Sequence, residues 1–358
     1  MYGEQRGDLP HLARVRRSPG PRGDGVKLEG HIGLAHGAGG PAMRALIAEL
    51  LSDGEGEFPL DDGAVIPLGD RFLVVTTDSH VISPRFFPGG DIGRLSVAGT
   101  VNDLAVMGAT EPLALTCAIV VEEGFELEEL ARIQTSIRAT CREAGTRVVT
   151  GDTKVMGRGE VDGLVVNTTG LGFAERVVPT AGLRPGDRIV VSGTVGDHGL
   201  AILAVRNDLH LDADLRSDVA PLNGLVRAAL EAGGAGVAAL TDPTRGGLSG
   251  ALHEMAAGSG VGIVIEDGVV PLSDAVRAAG ELLGIDPLQV ANEGKVVLGV
   301  RPEVSEVVLA ALRAHPLGRD AAVVGTATAD QVGRVILDTG FGRRLLTELD
   351  GEIAPRIC

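Results

Sequence analysis

The sequence predicts an α/β protein of the α+β type, built as two domains with mixed sheets. Three observations lead there. Apolar, β-branched runs of strand length alternate along the chain with segments of helical periodicity. The length, 358 residues, suits two domains of ordinary size. The turn chemistry of Leu183-Arg184-Pro185-Gly186-Asp187 divides the chain near its middle.

Residues 1–27 hold six basic and three acidic residues among glycines and prolines, so 1–28 reads as a disordered extension. An N-terminal domain over 29–178 opens with a Gly-rich lead, Gly37–Ala42, into a helix Ala42–Leu51, with Pro41 suited to a first helical turn. Arg71–Thr77 and Leu113–Val121 are apolar enough and β-branched enough for strands. Ile92–Met107, between them, reads as a helix with small residues on one face. In the helix Phe125–Glu143, residues Leu130, Ile133, Ile137 and Cys141 recur at helical spacing and form one apolar stripe. Strands follow at Arg147–Thr150 and Gly163–Phe173. A C-terminal domain over 179–338 begins with the strand Arg188–Ser192. Helices are expected at Gly199–Val205, Leu222–Glu231, Gly246–Gly258, Val276–Leu283 and Glu303–Ala314, and strands at Val261–Ile265, Lys295–Val300 and Ala321–Ala327. Residues 339–358 read as a flexible tail that carries a cysteine.

Composition excludes several function classes. A net charge of −16 argues against nucleic acid as the main partner. No apolar run approaches the roughly 18 residues of a membrane span, and the N-terminus lacks the apolar core of a secretory signal. Three widely spaced cysteines fit a reducing cytoplasm rather than a disulfide framework. Without Trp and with a single Tyr, the core must be Val, Leu, Ile and Ala. Cys117 lies in an apolar strand and Cys141 on the helix stripe, where both suit buried packing. Cys358, after Pro355, cannot staple a core; it could carry a group, bind a metal, be lipidated, or do nothing. Its position does not fit prenylation, which needs the cysteine four residues from the end. His36, His80 and His198 lack structural-zinc spacing.

Four blocks join Gly, Thr or Asn to Asp where the apolar pattern stops: Asp61-Asp62-Gly63-Ala64, Thr76-Thr77-Asp78-Ser79-His80, Thr100-Val101-Asn102-Asp103 and Thr150-Gly151-Asp152-Thr153-Lys154. Singly, each reads as a turn or helix cap. On consecutive elements they favour a Mg²⁺–nucleotide site, because carboxylates at strand ends hold Mg²⁺ on substrate phosphates. No Walker A spacing occurs, and Gly37-Ala38-Gly39-Gly40 lacks the leading strand of a dinucleotide fingerprint. Only three of the 32 basic residues are lysine. Lys154, beside Asp152 in what reads as a Gly-flanked loop, clamps phosphate, tunes a neighbouring acid, or is a surface lysine. Glu293 in Asn292-Glu293-Gly294-Lys295 is either a general base or a turn acid. Asp242-Pro243-Thr244-Arg245-Gly246-Gly247 either presents amides and Arg245 to an anion or caps a helix.

Taken together and in order, these blocks, with His36-Gly37-Ala38-Gly39-Gly40, Ser192-Gly193-Thr194 and Pro355-Arg356-Ile357-Cys358, resemble the HypE family of hydrogenase maturation factors. That family of carbamoyl dehydratases belongs to the aminoimidazole-ribonucleotide-synthetase-like (PurM-like) ATP-binding superfamily. The resemblance runs from about Gly30 to Cys358. It implies a PurM-like fold whose N-terminal domain dimerises, with ATP and Mg²⁺ near the dimer interface. It implies that the carbamoyltransferase HypF loads a carbamoyl group onto Cys358. ATP-dependent dehydration then yields a thiocyanate, whose cyano group passes to iron on HypC–HypD. Asp62, Asp78, Asn102, Asp103, Asp152, Thr153 and Arg245 become expected Mg-ATP residues, with Asp62, Asp78, Asp103 and Asp152 on the metal. Glu293 becomes the expected base, assisted by Lys154. Within the superfamily, selenophosphate synthetases carry an early reactive Cys, whereas this chain has none before Cys117; aminoimidazole ribonucleotide synthetase and thiamine-phosphate kinase have no use for the Cys358 thiol. A non-catalytic nucleotide-binding assembly factor is the alternative from another class. The expected cationic neighbour of the Cys358 thiol is either Arg356 or a residue on HypF.

Overall fold

The structure is a computed structural model that describes residues 31–37, 39–51, 61–209, 214–348 and 356–358. The expected extension over 1–28, Ala38 of the Gly-rich lead and Pro355 of the tail lie outside these residues. Two mixed sheets organise the unit Ile32–Cys358. After a short 3₁₀ turn at Leu34–Gly37 and helix α1 (Pro41–Leu51), the chain forms β1 (Ala64–Leu68) and β2 (Arg71–His80). A two-residue ribbon, β3 (Phe86–Phe87) with β4 (Gly90–Asp91), leads into α2 (Ile92–Val106). Then come β5 (Pro112–Glu122), α3 (Leu127–Glu143), β6 (Val148–Met156) and β7 (Leu164–Ala174). The first sheet has the order β1-β2-β7-β5-β6, with only β5 and β6 parallel.

β5 shows why this sheet forms. Its side chains alternate, so Leu115, Cys117, Ile119 and Val121 fall on one face and are buried. That face packs under α2 and α3. The expected α3 stripe is real: Ile133, Ile137 and Cys141 are buried and Leu130 packs against them. Each such aliphatic burial is worth about 1.5–3 kcal/mol. α2 begins where Asp91 accepts hydrogen bonds from the amides of Gly93 and Arg94, an N-cap on the first turn. It is buried almost throughout, which only a helix of small and apolar residues permits.

The second sheet uses β8 (Arg188–Val191), β9 (Val237–Thr241), β10 (Gly262–Glu266), β11 (Val297–Val300), β12 (Ala322–Thr328), β13 (Val335–Asp338) and β14 (Arg343–Leu345). Their order is β14-β13-β10-β12-β8-β11-β9, and only β10 with β13 is parallel. The helices of this half are α4 (Asp197–Arg206), α5 (Asn223–Gly233), α6 (Gly247–Ser259), α7 (Asp274–Leu283) and α8 (Ser305–Ala314). β9 and β11 are buried on both faces, so they read as unbroken apolar runs rather than alternating ones. Ala105 and Val106 of α2 share a core cluster with α5 and α8, so the two sheets are not independently packed.

Two sequence expectations change here. Asp152 and Lys154 do not sit in a loop: the strand expected to end at Thr150 runs on to Met156, pairing with β5 from Leu115 to Glu122. The segment after 338 is not tail throughout, since β14 forms and Leu346 is buried against the second core.

Candidate active site

Three aspartates from three different places meet. Asp62 precedes β1, Asp103 lies in α2 and Asp242 follows β9, and their carboxylate oxygens come within 4.8 Å of one another. α2 is held to β2 by Thr76, whose hydroxyl donates to Asp103 Oδ2 at 2.8 Å. The carboxylates repel each other in a dry setting. Burial, then Asp242, drive Asp62 well above the usual carboxylate range. Burial, then Asp242, Asp78 and Asp62, do the same to Asp103. Burial, then Asp78, push Asp242 up to about 7. Asp62 Oδ2, Asp242 Oδ2 and the nearby Glu293 Oε1 are buried with no hydrogen-bond partner. A nest of converging, partnerless carboxylate oxygens suits a hard divalent cation such as Mg²⁺.

A cationic rim adjoins the acidic nest. Asp78 Oδ2 lies 3.1 Å from His80 Nε2, and its Oδ1 lies 3.6 Å from Arg245. Burial opposes the Asp78 charge, yet His80, then Arg245 and the Ser79 amide, bring its pKa down to about 2. Burial also opposes the Arg245 charge, but the attraction of Cys358 and Asp78 outweighs it and raises the guanidinium pKa. The Gly-rich lead closes over this arginine. Gly39 has φ +80°, and a Cβ there would stand 2.5 Å from Arg245 Cβ, so only glycine lets the chain approach so closely. Met43 of α1 touches Arg245 as well. Arg44 reaches Glu348 at 2.7 Å and Glu254 of α6 at 3.5 Å, which ties α1 to both.

Cys358 is brought to this rim by its neighbours. Val81, directly after β2, donates its amide to the main-chain carboxylate oxygen of Cys358 at 3.1 Å, and Ser83 donates to the Arg356 carbonyl at 3.2 Å. His198 Nε2 stands 2.7 Å from the Ile357 carbonyl. The cation beside Cys358 is therefore Arg245, not Arg356, whose guanidinium pairs with Asp162.

This constellation can be compared with known proteins. The N-terminal domain of AIR synthase related proteins matches residues 60–174, and their C-terminal domain matches 184–338. Carbamoyl dehydratase HypE of Azotobacter vinelandii is 48% identical over 335 residues, which cover 92% of this chain and 98% of that protein. The chain belongs to the HypE family. Its fold is accordingly of the PurM-like class. Among solved structures, HypE from a HypE–HypF complex matches with a TM-score of 0.81 at 39% identity, covering 87% of this chain and 100% of that one. HypE in complex with ATP matches at 0.77 and 41% identity, covering 91% and 99%.

Within this HypE-family chain the expected site residues divide into three groups. Asp62, Asp78, Asp103, Arg245, Glu293 and Cys358 converge. Asn102 is adjacent but serves the backbone: it donates to the carbonyls of Ala220 (3.2 Å) and Glu293 (3.3 Å) and accepts from the Leu222 amide (2.7 Å). It positions the Glu293 loop and has no donor left for a nucleotide. Asp152, Thr153 and Lys154 lie on β6, the exposed edge strand. β7 and β5 separate β6 from β2, so they stand about 14 Å from the Asp78 strand within one chain. Sequence reading missed Asp242 as a member of the acidic nest. The signal was present, since Thr241-Asp242 repeats the Thr-Asp pattern of Thr77-Asp78, but β9 had not been recognised as the strand it ends.

Proposed function

We propose that the protein is an ATP-dependent carbamoyl dehydratase of hydrogenase maturation that converts an S-carbamoyl group on Cys358 to a thiocyanate. The observation that carries this is the docking of Cys358 at Arg245, which also pairs with Asp78, beside the buried Asp62–Asp103–Asp242 nest. A site that meets its own cysteine needs no separate small-molecule acceptor. The ATP-bound HypE and the HypE–HypF complex among its structural relatives support ATP as the co-substrate and HypF as the carbamoyl donor.

The carbamoyl oxygen is a poor leaving group, and phosphorylation makes it a good one. Its oxygen attacks the γ-phosphorus, the bond to ADP breaks, and an N–H proton is lost; the second N–H proton then leaves as the C–O bond breaks, giving S–C≡N and inorganic phosphate. The chain supplies positioning and charge. Arg245 holds Cys358 and faces the transferred phosphate. Mg²⁺ held by Asp62, Asp103 and Asp242 would offset the charge of that phosphate. Glu293 is the base. Its carboxyl is buried, and burial, then Asp242 and Asp78, raise its pKa, which makes the carboxylate a strong proton acceptor. The fully buried Glu293 loop also keeps bulk water from the activated intermediate.

A homodimer completes this reading. Val149 and Val155 of β6 are 52% and 62% exposed on an edge strand, a surface that a second copy would cover. Asp152, Thr153 and Lys154 then act on the nucleotide bound by the other copy. In this scheme residues 29–178 bind ATP and dimerise, 179–338 form the second domain, HypC–HypD accepts the cyano group, and the work is cytoplasmic. Intact mass spectrometry with HypF, carbamoyl phosphate and ATP tests the proposal. The expected result is a carbamoyl adduct that loses one water only when ATP is present, with neither species in Cys358→Ala. An adduct on Cys358→Ala would overturn it.

A further inference from the structure

The last three residues are gripped one by one, and the grip has a composition. Arg356 has a left-handed backbone, φ +60°, which a non-glycine residue adopts only at a cost of about 1–2 kcal/mol. Its carbonyl accepts from both the Ser83 amide and the Arg206 guanidinium, and its side chain pairs with Asp162. Arg206 Nε also donates to the Ser83 carbonyl at 2.5 Å, so one guanidinium clamps the tail to the strand-like segment that follows β2. Ile357 enters an apolar slot and is 8% exposed. The floor of that slot is Gly199 of α4, where a Cβ would stand 3.1 Å from Ile357 Cδ1 and 2.1 Å from a methyl of Val290. A larger residue at 199 would fill the slot.

His198 sits beneath the same residue, fully buried. Burial lowers its pKa, so the ring is neutral. Nδ1 lies 2.7 Å from Ser217 Oγ, which already accepts from the Val219 amide at 3.1 Å. The Ile357 carbonyl can only accept, so Nε2 carries the N–H that donates to it, and in the neutral ring Nδ1 then accepts the Ser217 hydroxyl proton. The Phe87 ring packs perpendicular to the imidazole with the two ring centres 5.5 Å apart.

We propose that this slot is a recognition site for an Arg-Ile-Cys peptide, and that His198 is a positioning residue that sets how deeply Cys358 reaches toward Arg245. The ligand is the chain's own end. The specificity lies in an apolar residue of Ile size one place before the cysteine and a basic residue two places before it. The inference gives purpose to the dehydratase reading, but the docking itself needs neither ATP nor carbamoyl phosphate.

Native-state alkylation by iodoacetamide, followed residue by residue with peptide mass spectrometry on the full chain, tests it. Cys117 and Cys141, buried elsewhere, report whether the fold is intact. Ile357→Gly and His198→Ala are each expected to speed Cys358 labelling about tenfold, as lost burial or a lost buried hydrogen bond predicts. His198→Gln, which keeps a donor in the same direction, should return the rate to within about twofold of wild type. If His198→Ala also exposes Cys117 and Cys141, the tail-side variant Ile357→Gly decides alone, because it cannot disturb the body of the protein. Wild-type labelling of Cys358 in Ile357→Gly would overturn the proposal, whatever the dehydratase assay shows.

Discussion

Asp242 shows how much electrostatic tension a single residue can carry. Its carboxyl, near 3.8 in an unfolded chain, is held up to about 7 by burial, then by Asp78. As pH rises, the unfolded chain gives up this proton before the folded one does. The metal-free protein should therefore lose stability between about pH 4 and about pH 7. Mg²⁺ should restore that stability near pH 7, and Asp242→Asn should flatten the slope. Thermal unfolding across this range, with chelator and with Mg²⁺, checks both; an unchanged slope in Asp242→Asn would place the effect in other carboxylates. Glu293→Gln keeps the shape of the buried loop but removes the proposed base. It should accumulate the carbamoyl form with ATP present, visible as an adduct that never loses water; normal turnover would hand the base role elsewhere. At this scale the sequence was informative about residue types and less so about partners. Asp62, Asp78 and Asp103 announced themselves as Asp blocks. Asn102 looks like a ligand because it adjoins Asp103 of the acidic nest, and nothing local shows that its amide is committed to the backbone of residues 220–222 and 293.

Elements were legible where one face carries the pattern. The α3 stripe, with Ile133, Ile137 and Cys141 in the core, follows directly from helical spacing. Ile137→Ala should cost about 2–4 kcal/mol, measurable by urea unfolding, because its volume cannot be refilled by neighbours already in contact. Less legible were elements whose local chemistry argues against them. β1 contains Pro67, which is tolerated because β1 is an edge strand paired only with β2. β13 has four residues, and its place beside β10 is fixed by parallel pairing that no short run reveals. In β6, Gly151, Asp152 and Lys154 have turn-like composition, and pairing with the strongly apolar β5 overrides it.

For the whole molecule, the proposed homodimer is the feature to test. Val155→Asp puts a charge on an exposed position of β6, so it should leave the monomer folded and Mg²⁺-responsive. It should dissociate the proposed dimer, seen by light scattering, and lower ATP-dependent water loss at least about tenfold; full activity in a monomer would show that β6 of a second copy is dispensable. Asp103→Asn separates the enzyme from a passive nucleotide-binding assembly factor, since only the enzyme loses ATP hydrolysis. The order of the sheets, and so the distance from β6 to Asp78, could not be read from the sequence, because strand order is set by long-range pairing.

The grip on the tail rests largely on the main-chain oxygens of Arg356, Ile357 and Cys358. Those main-chain contacts are the same for thiol, carbamoyl and thiocyanate, whereas Cys358 also meets Arg245. A signal to let go must therefore pass through side-chain contacts such as that one, so release of the tail would be timed by how Arg245 holds each form of the sulfur group rather than by the main-chain grip.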